Sequence, residues 1–173
     1  MATIDLIVLG MLKQEPRSAY ELQKLVEYRN ISKWVRISTQ SIYKKVIQLE
    51  EKGYIKSSIV KEGKMPEKAI YSLTTTGEEE FENLMEEISE SPIHFFLDFN
   101  AVIVNLASLP PKAQKTCLSN IEAQVKMLRS ELEESLRTKI DVPEIPKTGM
   151  AVLQQQLMLA QTIEAWVASL KGI

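Results

Sequence analysis

A chain of 173 residues, 45% apolar and 25% charged, is ordinary for a soluble globular protein and long enough for one or two small cores. Its single cysteine, Cys117, excludes an internal disulfide. No basic-then-apolar opening marks a secretory signal, and the most apolar stretch, FFLDFNAVIVNLASL at 95–109, falls short of the roughly 20 residues a bilayer span needs, so a cytoplasmic protein with no membrane partner is expected. The net charge of −2 is unevenly spread. Residues 1–74 carry 13 basic and 8 acidic side chains, a net of +5, and residues 75–173 carry 8 and 15, a net of −7. Either the N-terminal half meets an anionic partner, or surface charge has partitioned by chance.

Residues 3–13, TIDLIVLGMLK, put Ile4, Ile7, Val8, Met11 and Leu12 on one helical face before Glu15-Pro16 ends the pattern. Ser18, with Glu21 three residues on, has the spacing of a capping box and opens a second helix that turns Leu22, Leu25 and Val26 inward. A polar stretch leads to a third start signal at Ser38 or Thr39. That helix is expected to bury Ile42, Val46, Ile47 and Leu49 and to stop at Gly53. Trp34, just before it, is expected to anchor packing beneath it.

The period then changes to about two. YIKSSIV and AIYSLT read as strands of a hairpin whose loop, KEGKMPEK, is basic. Thr76 or a neighbour caps an acidic helix, GEEEFENLMEEI. Ser91-Pro92 marks a boundary between domains at 1–90 and 91–173. Beyond it only helices are expected: one over about 94–108, one after Pro110-Pro111 and one over about 148–171. The second of these has a seam of Leu118, Ile121, Val125, Leu128 and Leu132.

Enzyme chemistry is sparse. One histidine, His94, and Cys117 cannot supply the four ligands of a structural zinc site, and no phosphate loop appears. The glutamate runs at 78–80 and 86–87 read as solvated helix faces. We therefore expect no enzyme, no metal and no cofactor.

Nucleic-acid binding fares better. A pair of helices followed by a basic hairpin describes a winged helix-turn-helix, in which the second helix of the motif enters the major groove. Its outward residues are Ser38, Thr39, Gln40, Ser41, Tyr43, Lys44 and Lys45. Gln40 can read adenine bidentately, Lys44 or Lys45 can reach guanine or phosphate, and the Ser41 and Tyr43 hydroxyls suit phosphate oxygens. Lys61, Lys64 and Lys68 would flank the duplex from the wing. Tyr20, at the start of the second helix, completes the set of candidate contacts. Each lysine alone is as well explained by a solvated surface; the combination favours DNA.

These residues resemble the PadR family of bacterial transcriptional regulators. The resemblance rests on Leu9-Gly10-Met11-Leu12, Tyr20-Glu21-Leu22, Ser41-Ile42-Tyr43, Leu49 to Ile55 in LEEKGYI, and Tyr71 to Gly77 in YSLTTTG. It covers about the first 80 residues, and the tail is similar to the longer helical C-terminal domain of one branch. Two positions depart from the pattern. Lys44 stands where the family commonly has proline, and Lys64-Met65-Pro66 where it often has Arg-Pro followed by a basic residue. The resemblance implies a homodimer on a pseudo-palindromic operator, usually a repressor relieved by a small molecule or signal.

The expected fold class is mostly α with a small β-hairpin wing: a winged helix-turn-helix domain plus a C-terminal helical dimerisation domain. Three C-terminal helices bury little alone, and a two-fold partner would close their core and set two recognition helices about 34–36 Å apart. Phe95, Phe96, Phe99 and Trp166 can line an effector pocket with methionine walls, or can simply be packing, which is the preferred reading. The alternative function is a helical module whose winged helix binds a protein partner.

Overall fold

The structure, a computed structural model, describes residues 2–61, 67–143 and 145–170. The chain divides into two compact units, residues 1–93 and 94–173.

In the N-terminal unit the order is α1 (Ala2–Gln14), α2 (Ala19–Tyr28), α3 (Ser41–Glu51), β1 (Ile55–Val60), β2 (Lys68–Leu73) and α4 (Thr75–Glu90). The core is made where the apolar faces of the first three helices meet: Val8 and Leu9, Leu22 and Val26, and Ile42, Val46 and Leu49 have no exposed surface. α4 packs on α1, with Phe81 against Gly10, where a Cβ would stand 3.2 Å from the ring.

Local chemistry sets the boundaries of these elements. Ser18 and Glu21 close the expected capping box on α2. Gly53 ends α3 with φ of +76°, a conformation that costs a residue with a Cβ roughly 1–2 kcal/mol. Thr74 caps α4 by accepting from the Gly77 N–H at 3.1 Å, while its own hydroxyl donates to the Gly53 carbonyl at 2.7 Å. One threonine thus ties the end of α3 to the start of α4. β1 and β2 pair antiparallel with Ile55 opposite Leu73 and Val60 opposite Lys68. Arg17 and Tyr71 exchange backbone hydrogen bonds of 3.1 and 2.9 Å, which binds the segment before α2 to the outer edge of the hairpin.

Three expectations need correcting here. α3 starts at Ser41; Ser38 and Thr39 form a lead-in turn whose carbonyls accept from the Ser41 and Ile42 N–H groups. Ile47 is 54% exposed, not buried. Ile42, Val46 and Leu49 already define the inward stripe, and Ile47 projects roughly 140° from Ile42 around the helix. Trp34 closes a 3₁₀ turn (Ile31–Lys33) and stays 37% exposed, while Val35 and Ile37 pack against the core in its place.

The C-terminal unit contains α5 (Asn100–Val104), a 3₁₀ turn (Leu106–Ser108), α6 (Pro111–Lys139) and α7 (Lys147–Ser169). α6 and α7 pack along one another and bury Leu118, Val125, Leu157, Ala160 and Val167. The helix expected over 94–108 shrinks to five residues. No side chain caps its start, three β-branched residues follow one another, and Asn105 bonds back to the Ala101 carbonyl at 2.8 Å. The α6 seam is only partly covered: Leu118 and Val125 are buried, Ile121 and Leu132 half-buried, and Leu128 is 47% exposed. One neighbouring helix covers only part of a face this wide.

Candidate nucleic-acid interface

α2 and α3 together form the candidate surface, and each is held by contacts outside its own helix. At the head of α2 the Ser18 N–H and hydroxyl donate to one Glu21 carboxylate oxygen at 2.7 and 2.8 Å. The Ser18 backbone N–H, then its hydroxyl, hold the Glu21 carboxyl below its ordinary value. The other oxygen of Glu21 lies 3.6 Å from the Lys68 ammonium, so the root of the wing is tied to α2.

α3 is fixed by contacts to two other elements. Its Glu50 carboxylate accepts from the Ser57 N–H of β1 at 3.0 Å. On its inner flank the Lys45 ammonium sits 2.7 Å from Asp5 of α1, with both side chains less than 15% exposed. The approach to Asp5 is too oblique for a directed hydrogen bond, so the attraction is mainly ionic.

With α3 so anchored, Gln40, Tyr43, Lys44, Ile47 and Glu51 are left outside. Gln40 keeps helical backbone angles (φ −65°, ψ −22°), so it continues the helical phase. Gln40, Lys44, Ile47 and Glu51 then fall within about 60° of one another on the outermost ridge. Tyr43 is 45% exposed beside this ridge. Tyr20 of α2 is 58% exposed, with the Lys24 ammonium 5.7 Å from its ring centre. Glu27 raises Lys24 above the ordinary lysine range, and the Tyr20 and Tyr43 hydroxyls add smaller contributions in the same direction. Tyr20, Lys24 and Tyr43 thus share one surface across two helices. Sequence reasoning missed Lys24, although its place one turn after Tyr20 was a usable signal.

The remaining candidates divide. Ser38 is exposed and Thr39 half-buried. The Ser41 hydroxyl donates to the Ser38 carbonyl at 2.5 Å, which commits its proton locally. Lys45 turns inward to Asp5 and is not displayed with Lys44. This differs from the outward position expected for it, because Asp5 supplies a counter-charge where the helix meets α1. Lys61 is exposed, 3.6 Å from Glu67, and Lys64 lies outside the described residues, as do Met65 and Pro66.

The four aromatic residues considered for an effector pocket do not converge. Phe99 and Trp166 meet with ring centres 6.1 Å apart. Phe95 and Phe96 are 68% and 81% exposed, and Phe96 lies beside His94. They belong to the uncapped segment before α5, which has no helix to turn them inward. Among the described residues no group of His, Cys, Asp and Glu could hold a metal ion, and no helix is long and apolar enough to cross a membrane.

Residues 8–83 match the family model described as "Transcriptional regulator PadR-like family". No curated protein matches the sequence. Among solved structures the chain is similar to Bacillus subtilis PadR in complex with operator DNA, at 19% identity and a TM-score of 0.83, over 97% of this chain and 96% of that one. The same Bacillus subtilis protein in complex with p-coumaric acid aligns at 19% identity and a TM-score of 0.78, over 96% and 92% of the two chains. The Vibrio cholerae virulence activator AphA aligns at 16% identity and a TM-score of 0.68, over 96% and 94%. At such identities the likeness is one of fold.

Proposed function

We propose that this chain, whose residues 8–83 match the model of the PadR-like family of transcriptional regulators, is a cytoplasmic homodimer that binds a pseudo-palindromic operator through α3 and represses transcription. The observation that carries this reading is the division of α3 into two faces. Ile42, Val46 and Leu49 lock it to the core, and Lys45 and Glu50 tie it to α1 and β1. Gln40, Tyr43 and Lys44 are left for a partner. An amide, a phenol and an ammonium on an exposed helix suit base edges and phosphates in the major groove. The +5 balance of residues 1–74 adds long-range attraction for the duplex.

Homodimerisation draws support from the C-terminal unit. Among its described residues it buries five apolar side chains yet leaves Val104, Met127, Leu128, Ile140, Met158 and Trp166 between 40% and 80% exposed. So much uncovered apolar surface favours association, and a two-fold partner would present two copies of α3 to two half-sites. Repression follows the family resemblance, and the similar fold of an activator makes the sign of regulation a matter for measurement. The complex of Bacillus subtilis PadR with p-coumaric acid supports a small-molecule effector for this chain as well, with the Phe99–Trp166 contact as the place to look.

The test is an anisotropy titration of the purified protein against DNA upstream of its own gene, repeated at several salt concentrations, with run-off transcription from the same fragment. Selective binding that falls steeply with salt, together with reduced transcript, is expected. Equal affinity for scrambled DNA would refute the reading.

A further inference from the structure

The outer ridge of α3 runs amide, ammonium, hydrocarbon, carboxylate: Gln40, Lys44, Ile47, Glu51. Three of these suit an aqueous or nucleic-acid surface. Ile47 does not, and its exposure of 54% is not relieved by any neighbour in the unit. A single exposed apolar residue needs no explanation on an ordinary surface. This one stands in the middle of the ridge that the proposed function turns toward DNA, one turn beyond Lys44 and one turn before Glu51.

An isoleucine can neither donate nor accept a hydrogen bond, so it gains nothing from phosphates or from polar base edges. Pressed against the exocyclic amine of cytosine or adenine, it would strip water from a polar group and return no partner. The major groove displays one apolar group, the C5-methyl of thymine. Ile47 is β-branched and restricted at χ1, so it loses little side-chain freedom when it packs against such a group. Glu51, on the same ridge, is repelled by the phosphate backbone, which makes Ile47 the last position of the ridge that can face the duplex favourably.

We infer that Ile47 is a specificity-determining residue that packs on the C5-methyl of one thymine in each operator half-site. This rests on the DNA-binding reading above and adds a base and a chemical group to it.

The test uses the full-length protein and an operator selected by it from a random DNA pool. Each thymine of the selected site is replaced in turn by deoxyuridine, which removes only the methyl group, and affinity is measured for the wild type, Ile47→Val and Ile47→Ala. In the wild type, one position per half-site should lose affinity on the order of fourfold, the effect of burying one methyl group. At that position the loss should shrink in Ile47→Val and vanish in Ile47→Ala, while uridine effects elsewhere stay unchanged. Because Ile47 is exposed, both variants should melt with the wild type, which separates a lost contact from a lost fold. Uridine effects that are the same in the wild type and Ile47→Ala at every position would overturn the inference and leave DNA binding standing. Failure of the selection to yield any preferred sequence would overturn the DNA reading, and this inference with it.

Discussion

Asp5 of α1 and Lys45 of α3 lie 2.7 Å apart, each side chain less than 15% exposed. The pair couples the first helix of the chain to the helix proposed to read DNA. Replacing Asp5 by asparagine leaves an ammonium mostly out of water without its counter-charge, and should cost about 1–3 kcal/mol in urea unfolding. A double-mutant cycle with Lys45→Met should give a coupling of at least about 0.5 kcal/mol. Strict additivity of the two changes would show that the contact carries no energy.

Lys44 and Lys45 are neighbours in sequence and opposites in environment. Lys44 is exposed on the outer ridge; Lys45 is already neutralised. We predict that Lys44→Ala weakens DNA binding and lowers the salt slope by about one phosphate contact, whereas Lys45→Met leaves that slope unchanged. Tyr43→Ala should weaken binding without lowering the melting temperature. A slope that falls equally in both lysine variants would mean that the ion pair opens on DNA.

The capping box makes stability depend on acid. The folded-state pKa of Glu21 is depressed, chiefly by the Ser18 N–H, so the unfolded chain takes up the proton first as pH falls. Its contribution is therefore complete above the ordinary value of 4.5 and is lost as pH drops through the lower folded value. Ser18→Ala should cost about 1 kcal/mol at neutral pH. It should also flatten the acid limb of a urea-midpoint profile, since the hydroxyl's share of the depression goes with it. An acid limb as steep as the wild type's would assign that limb to other carboxylates.

Two glycines should respond differently to alanine. At Gly77 a Cβ would stand 1.9 Å from the Tyr54 carbonyl oxygen, so α4 would have to lift from the base of the hairpin. At Gly53 nothing stands within 4 Å, and only the positive φ is at issue. Gly77→Ala should cost about 3 kcal/mol and Gly53→Ala about 1 kcal/mol in thermal or urea unfolding. The reverse order would contradict the packing of α4 on the Tyr54 carbonyl.

Leu128 lies on α6 with 47% of its surface exposed, beside the still more exposed Met127. If the C-terminal unit pairs with a second copy there, Leu128→Glu buries a charge in the interface. Sedimentation should then show the wild type as a dimer and the variant shifted toward monomer, with helicity by circular dichroism retained. A wild type that sediments as a monomer at micromolar concentration would remove the dimer from the proposed function.

Features specified within a few residues were readable in advance. Ser18 and Glu21 sit three apart and cap α2; Gly53 ends α3 because one position needs φ > 0; the cap of α4, expected at Thr76 or a neighbour, falls two residues earlier on Thr74. The outward positions of Gln40, Tyr43 and Lys44 followed from the period of α3, whereas Lys45, expected beside them, turns inward to Asp5. Ile47 was misplaced because steps of three and four residues fit two overlapping stripes, and only contact with α1 and α2 selects between them. The helix expected over 94–108 failed for a related reason: apolar content was read as helix where the backbone had neither a cap nor a continuous partner face.

The chain order of helices, hairpin and acidic helix, with their caps, is thus written in local patterns, because capping and amphipathic period act over one or two turns. What needed the folded chain was the pairing of residues far apart. Lys45 meets Asp5 forty positions away, Arg17 pairs with Tyr71, and the wing's Lys68 reaches Glu21. Those contacts decide that Lys45 is spoken for, that Lys44 stands free on the ridge, and that an isoleucine faces outward beside it. Coulomb attraction and close packing act through space and carry no trace in sequence spacing.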